Sequence, residues 1–165
     1  MRRRILFISI AALFTLALCA SVWGADMISG TWKLNVAKSK YSPGPAPKAQ
    51  TVVWTASPDG SYKVFVDGTN AEGKKTHNEY TFKMDSKDYP MKPMIDGKAD
   101  ATAADGVSAK KVDDFTFEIT RKLKGQALTT EKQVISKDGK TRTITSSGKN
   151  SEGKAVANTI VYDKQ

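Results

Sequence analysis

The chain has one cysteine, one histidine and no stretch with a convincing helical period. Each shortage excludes something. Cys19 lies within the first 25 residues, and a chain that sheds them keeps no thiol at all. A disulfide framework, a thiolate nucleophile and a Cys-ligated metal are then out of reach for the remaining domain. His77 alone cannot assemble the usual zinc sets, and its place at the start of a strand, near the outward-facing Glu79, suits a passive surface group better than a general base. With no helix to open, no Gly-rich loop can present a helix N-terminus to phosphate. The acids Asp113 and Asp114 sit at a hairpin tip, where Asp is a turn former, and Glu118 alternates with Phe115 and Phe117 and so faces water. We expect no catalytic residue, no metal and no cofactor.

What is present first is a leader. Arg2, Arg3 and Arg4 precede an apolar run over residues 5–18, and small residues follow at Ala20, Ser21, Gly24 and Ala25. That order is the order of a secretory signal peptide. The run is too short for a comfortable membrane span, which needs about 20 residues. Residues 1–25 are therefore set aside, with cleavage after Gly24 or Ala25, and residues 26–165 are read as a single domain. Leu18 puts a bulky side chain just before Cys19, where a lipoprotein signal requires a small one, so a lipid anchor is not expected. The expected location is periplasmic or secreted, with no transmembrane span after signal removal.

The net charge is +9, three units of which belong to the leader arginines. Beyond the leader, all basic residues except Arg121 and Arg142 are lysines, scattered among Thr, Ser and Asp. Lysine at outward and edge positions keeps strands soluble and unpaired. Nucleic acid would call for clustered arginine with exposed aromatics, and no such cluster is seen. No nucleic-acid partner is expected.

The domain reads as strands and turns. Ser29-Gly30-Thr31-Trp32-Lys33-Leu34-Asn35 opens an alternating first strand, and Asn158-Thr159-Ile160-Val161-Tyr162-Asp163-Lys164 ends the chain on another. Three prolines between Pro43 and Pro47 make residues 37–50 one long loop. Strand-like runs follow at 51–56, 62–66, 74–84, 107–112, 115–123, 127–135, 141–146 and 155–163, with turn signals such as Asp59-Gly60, Glu72-Gly73, Asp138-Gly139 and Glu152-Gly153 between them. Apolar and polar residues alternate along each run, so each strand has one wet and one dry face. Residues 88–106, with Pro90, Pro93, Met91 and Met94, break the rhythm; an irregular strand plus loop is expected there in preference to a mobile flap. The fold class is all-β: an antiparallel up-and-down meander of about eight to ten strands, its first and last strands meeting to close a barrel.

An internal echo supports this reading. Ser57-Pro58-Asp59-Gly60, Gly68, Asn70-Ala71-Glu72-Gly73-Lys74 and Asn78 recur 79 to 80 residues later as Ser136-Lys137-Asp138-Gly139, Gly148, Asn150-Ser151-Glu152-Gly153-Lys154 and Asn158. A hairpin recipe used twice explains it, with Gly73 and Gly153 supplying positive φ and the asparagines bonding locally.

Parity then names the residues that would line an interior: Tyr62, Val64, Val66, Tyr80, Phe82, Met84, Phe115, Phe117, Ile160 and Tyr162. Asn78 and Asn158 fall on the same faces, either as inward amides for a ligand or as caps for backbone groups at a rim. Trp54 lies on the face opposite Thr51 and Val53, and parity alone leaves it unplaced.

Gly30-Thr31-Trp32 resembles the Gly-x-Trp signature of lipocalin and calycin barrels. Residues 30–34 resemble the opening of intracellular fatty-acid-binding proteins, and Tyr162-Asp163-Lys164 their closing strand. The mature chain is also similar to small exported bacterial proteins described as lipocalin-like, which share the run 30–41, the Pro-Gly-Pro loop and the Asp138-Gly139-Lys140-Thr141 turn. The resemblance implies a lipocalin-like barrel with Trp32 packed at its closed end as a structural residue. It departs from the fatty-acid-binding pattern in two places. The Pro-rich loop stands where a two-helix lid would be, and Ile160 stands where the carboxylate-holding Arg would be. The last strand also offers no Arg to cover Trp32.

The function expected is non-covalent binding of a small apolar or amphipathic molecule inside a monomeric barrel. The alternative is a barrel with a packed interior that acts through its surface, as an envelope interaction module or an inhibitor. An interior void above about 300 Å³ separates the first from the second.

Overall fold

The computed structural model describes residues 26–165; the expected signal peptide, its expected cleavage site and Cys19 lie outside the described residues. Eleven strands run in chain order: β1 (Gly30–Leu34), β2 (Ala49–Ala56), β3 (Tyr62–Thr69), β4 (Lys75–Phe82), β5 (Tyr89–Ile95), β6 (Lys98–Ala99), β7 (Gly106–Lys111), β8 (Thr116–Leu123), β9 (Gln126–Ile135), β10 (Thr141–Lys149) and β11 (Ala155–Lys164). Every pairing is antiparallel. The first strand meets the last through Trp32↔Lys164 and Leu34↔Tyr162, and β4 pairs with β5 from Thr76↔Ile95 to Tyr80↔Met91. The ring closes with ten strands, and the two-residue β6 hangs on β5 outside it. Closure leaves the ring no free edge, which suits a domain that cannot use disulfides. The only helical element among the described residues is one 3-10 turn at Val36–Lys38, capped by the Asn35 side chain. No helix is long and apolar enough to cross a membrane.

The stretch around residues 88–106 is more regular than its prolines suggest. β5 is a wall strand despite Pro90 and Pro93, pairing with β4 over five positions. It shares only two register pairs with β7, Tyr89↔Val107 and Pro90↔Gly106. Past Pro90 that side is served by β6 and by the 100–105 turn, whose Asp100 N–H donates to the Pro93 carbonyl at 2.9 Å.

The echo is a matter of turns. In each copy a Gly N–H closes onto the Asn carbonyl (Gly73 to Asn70 at 3.1 Å, Gly153 to Asn150 at 2.9 Å), and the Lys N–H donates to the Asn side chain at 2.9 Å. Gly73 and Gly153 have φ of +93° and +81°. Four of five residues are shared by the β3–β4 and β10–β11 tips, Ala71 and Ser151 differing, and Gly recurs because it tolerates that backbone without strain.

The core fills one half of the barrel. Trp32, Trp54, Val64, Phe82, Phe117, Ile119, Ile135 and Val107 are buried there. Trp54, which parity left unplaced, is its centre: its ring meets Phe82 edge-on at 5.4 Å and lies 5.5 Å from Phe117 and 5.7 Å from Tyr62. Three such contacts add to the large area an indole buries. Trp32 donates its Nε1–H to the Ile28 carbonyl at 3.0 Å, tying the segment before β1 across the barrel end. Lys164 takes the place left without an Arg: its ammonium lies 5.0 Å from the Trp32 ring and 3.2 Å from the Met27 carbonyl.

Candidate functional site

The other half of the barrel is hollow. A cavity of about 480 Å³ opens there. Apolar side chains form its belt: Val52, Val66, Met91, Leu128, Ile144 and Ile160. The mouth is framed by Tyr41 and Pro47 of the Pro-rich loop, by the 102–104 turn and by the β10–β11 tip at 149–151. The loop is held by the last strand. Ser42 N–H donates to Asn158 Oδ1 at 2.9 Å, and Ala157 N–H donates to the Ser42 carbonyl at 2.7 Å.

Of the twelve residues that parity placed in a ligand lining, Val66, Asn78, Tyr80, Asn158, Ile160 and Tyr162 line this cavity. The other six do not. Val64, Phe82 and Phe117 are packed into the core beside Trp54. Tyr62, Met84 and Phe115 lie at the opposite end, around a second recess of about 540 Å³ shared with Asp26, Met27 and Ile28. Parity fixes which face a residue takes but not its height along the barrel, and height decides between filler and lining. Trp32 is fully buried and Gly30 takes φ of +126°, so both serve the structure. Asn158 caps the loop at the rim through Ser42, whereas the Oδ1 of its counterpart Asn78 is buried with no partner.

The floor of the cavity is polar. Arg121 on β8 donates from Nε to Glu131 Oε1 at 3.1 Å and from Nη1 to the Tyr80 hydroxyl at 3.3 Å. Gln133 Nε2 donates to the other Glu131 oxygen at 2.6 Å, and Gln133 Oε1 accepts from Arg142 Nε at 2.9 Å. A single chain of polar groups thus runs from β4 across β8 and β9 to β10. Burial pulls the Arg121 pKa down, but Glu131 and Tyr80 outweigh it and hold the group firmly protonated. Arg142 has no such partner. Burial lowers its pKa to about 10, and the guanidinium is only 2% exposed. It rests against the faces of Trp54 (4.5 Å), Trp32, Phe117 and Tyr162 (each 5.8 Å). Its Nη1 is buried with no hydrogen-bond partner. The Tyr162 hydroxyl donates to Gln50 Oε1, and burial raises its pKa.

Neither arginine was singled out from the sequence as an interior residue. The signal was there. Arg121 continues the inward parity of Phe117 and Ile119, and Arg142 shares the parity of Ile144. They are the only two arginines among the described residues, and both line the cavity, to which a single lysine, Lys149, contributes.

Elsewhere, His77 pairs with Asp67 at 2.7 Å on the outer surface. Among the described residues no group of three or more His, Cys, Asp or Glu side chains is placed to hold a metal.

No family model matches the sequence, and no curated protein does. The fold has a match among solved structures: the crystal structure of the wild-type fluorescent protein UnaG, with a TM-score of 0.53 over 83% of this chain and 96% of that one. Identity is 15%, so the likeness is one of fold.

Proposed function

We propose that this barrel is exported and holds a small amphipathic molecule in its hollow half, bound without covalent chemistry. The cavity itself carries the reading. At about 480 Å³ it falls within the range of small-molecule sites, and unlike the recess of about 540 Å³ at the other end it is floored by buried polar groups. An apolar belt above a floor of buried polar groups matches a molecule with a greasy body and a polar end. Of the buried atoms without partners, the Tyr41 hydroxyl, Asn78 Oδ1 and Arg142 Nη1 belong to residues that line the cavity, and such groups are the kind that a ligand satisfies on binding. No activated nucleophile or base stands at the floor, where Glu131 is committed to Arg121 and Gln133.

The test is native mass spectrometry of the protein purified gently from its own source, followed by release and identification of anything bound. A stoichiometric amphipathic adduct is the expected result. A bare mass, together with no fluorescence gain from an apolar dye, would sink the proposal. Recovery of the protein from the cytoplasm with residues 1–25 intact would refute the export half.

A further inference from the structure

We propose that the outer wall of the barrel binds a copper(I) ion between the His77 imidazole and the Met94 thioether, with Asp67 as the positioning residue. The site is independent of the cavity. Asp67, His77 and Met94 stand opposite one another on the consecutive strands β3, β4 and β5, as Asp67↔His77 and His77↔Met94. Their parity is opposite to that of Val66, Asn78, Tyr80 and Met91, which line the cavity, so all three face outward. Directly opposed residues have β-carbons about 5 Å apart, and the flexible Met side chain can bring its sulfur to the imidazole edge. The sequence alone hides this pair, because His77 and Met94 meet only through the β4–β5 ladder.

The imidazole is prepared as a ligand. Asp67 Oδ1 lies 2.7 Å from His77 Nδ1, which seats the ring proton on Nδ1 and leaves the Nε2 lone pair free. The His77 side chain is 30% exposed, open to an ion from solvent yet sheltered on one flank by Phe65, whose ring centroid lies 6.3 Å from its own. An aromatic face beside the site attracts a cation. The donor set selects the metal. Imidazole alone suits zinc, copper, iron or nickel, but a thioether is a soft ligand that favours copper(I). Fixed charge points the same way. The carboxylates on this face, Asp67 and Glu79, are matched by Lys63, Lys75 and Lys92, and Lys63 holds Glu79 at 3.0 Å. No surplus of carboxylate is left for a hard divalent ion, and a univalent soft ion needs none.

The experiment titrates the purified protein against the copper(I) chelator bicinchoninate in ascorbate, with Cys19→Ser in place so that no thiol competes. A single equivalent of copper(I) is expected to leave the chelator. His77→Gln and Met94→Leu should each weaken binding by about tenfold or more, and Asp67→Asn by about tenfold through lost orientation. Asp67→Glu, which keeps a carboxylate, should recover most of that loss. Met84→Leu, at the far end of the barrel, should change nothing. In carbon-13 spectra the Met94 methyl signal should move with copper(I) while that of Met84 stays. A protein that withdraws no copper(I) overturns the proposal. So does binding that survives His77→Gln or Met94→Leu, or zinc(II) held as tightly by the same residues. If Met94→Leu fails to fold by circular dichroism, the methyl spectrum of the chain with Met94 still decides: a signal that moves supports the thioether ligand, and a fixed one refutes it.

Discussion

Gln133 is fully buried and works in both directions, accepting from Arg142 and donating to Glu131. Replacing it with leucine fills the space but strands a guanidinium N–H and a carboxylate oxygen together. We expect Gln133→Leu to lower stability by about 2–3 kcal/mol in urea unfolding, more than the swap of a surface glutamine would. Asp59 is a contrasting, exposed case. The Ser61 hydroxyl, the Ser61 backbone N–H and Lys83 hold its carboxyl down to about 2. A carboxyl whose folded pKa lies below its unfolded value, near 4, stabilises the fold above that value and loses the contribution as pH falls toward 2. The acid limb of urea midpoint against pH should therefore be shallower between pH about 4 and 2 in Asp59→Asn than in wild type. An identical limb would show that the Ser57–Ser61 turn contributes nothing through this charge.

At the level of elements, the hairpins were legible because their turns are local chemistry: Asn, Gly and Asp at fixed offsets. Gly148 is different. It takes φ of +141°, and a Cβ there would stand 2.1 Å from the Leu128 carbonyl oxygen and 2.8 Å from Thr129 Cα, both backbone atoms that cannot step aside. Gly153, at the tip, has open space around it. Gly148→Ala should cost about 3 kcal/mol in chemical denaturation, and Gly153→Ala about 1 kcal/mol for its φ alone. Comparable losses would mean that the β9–β10 approach relaxes freely. The strand faces could likewise be read from alternation. What parity could not supply is tilt. Tilt lets Arg142 on β10 reach Trp54 on β2, three strands away around the ring, and sets Arg121 against Tyr80. Lys164 over Trp32 escaped notice for the same reason, since the sequence was read for an arginine there and the contact depends on the geometry of closure.

As a whole molecule the barrel is asymmetric along its axis. One half is a solid plug of indole and phenyl rings, and the other half is a cup. Packing in the first half offsets what the second leaves unfilled, including the cost of an unmatched Arg142. The wall is not uniform around the ring either. The ladders range from nine pairs between β10 and β11 and eight between β3 and β4 down to three between β1 and β11 and two between β5 and β7. The turn at 102–104, which frames the mouth, lies beside this short seam, so the thinnest part of the wall and the opening of the cup adjoin.

The seam between the first and last strands has a consequence in time. Trp32 lies near the beginning of the domain, and Lys164, which covers it, is one residue from the end of the chain. Until β11 has been synthesised, β1 has no partner on one side and the barrel stays an open, curled sheet. Contacts so far apart in sequence form slowly and late. The chain therefore cannot complete its native state until β11 has left the ribosome, and until then the ring is open between β1 and β10.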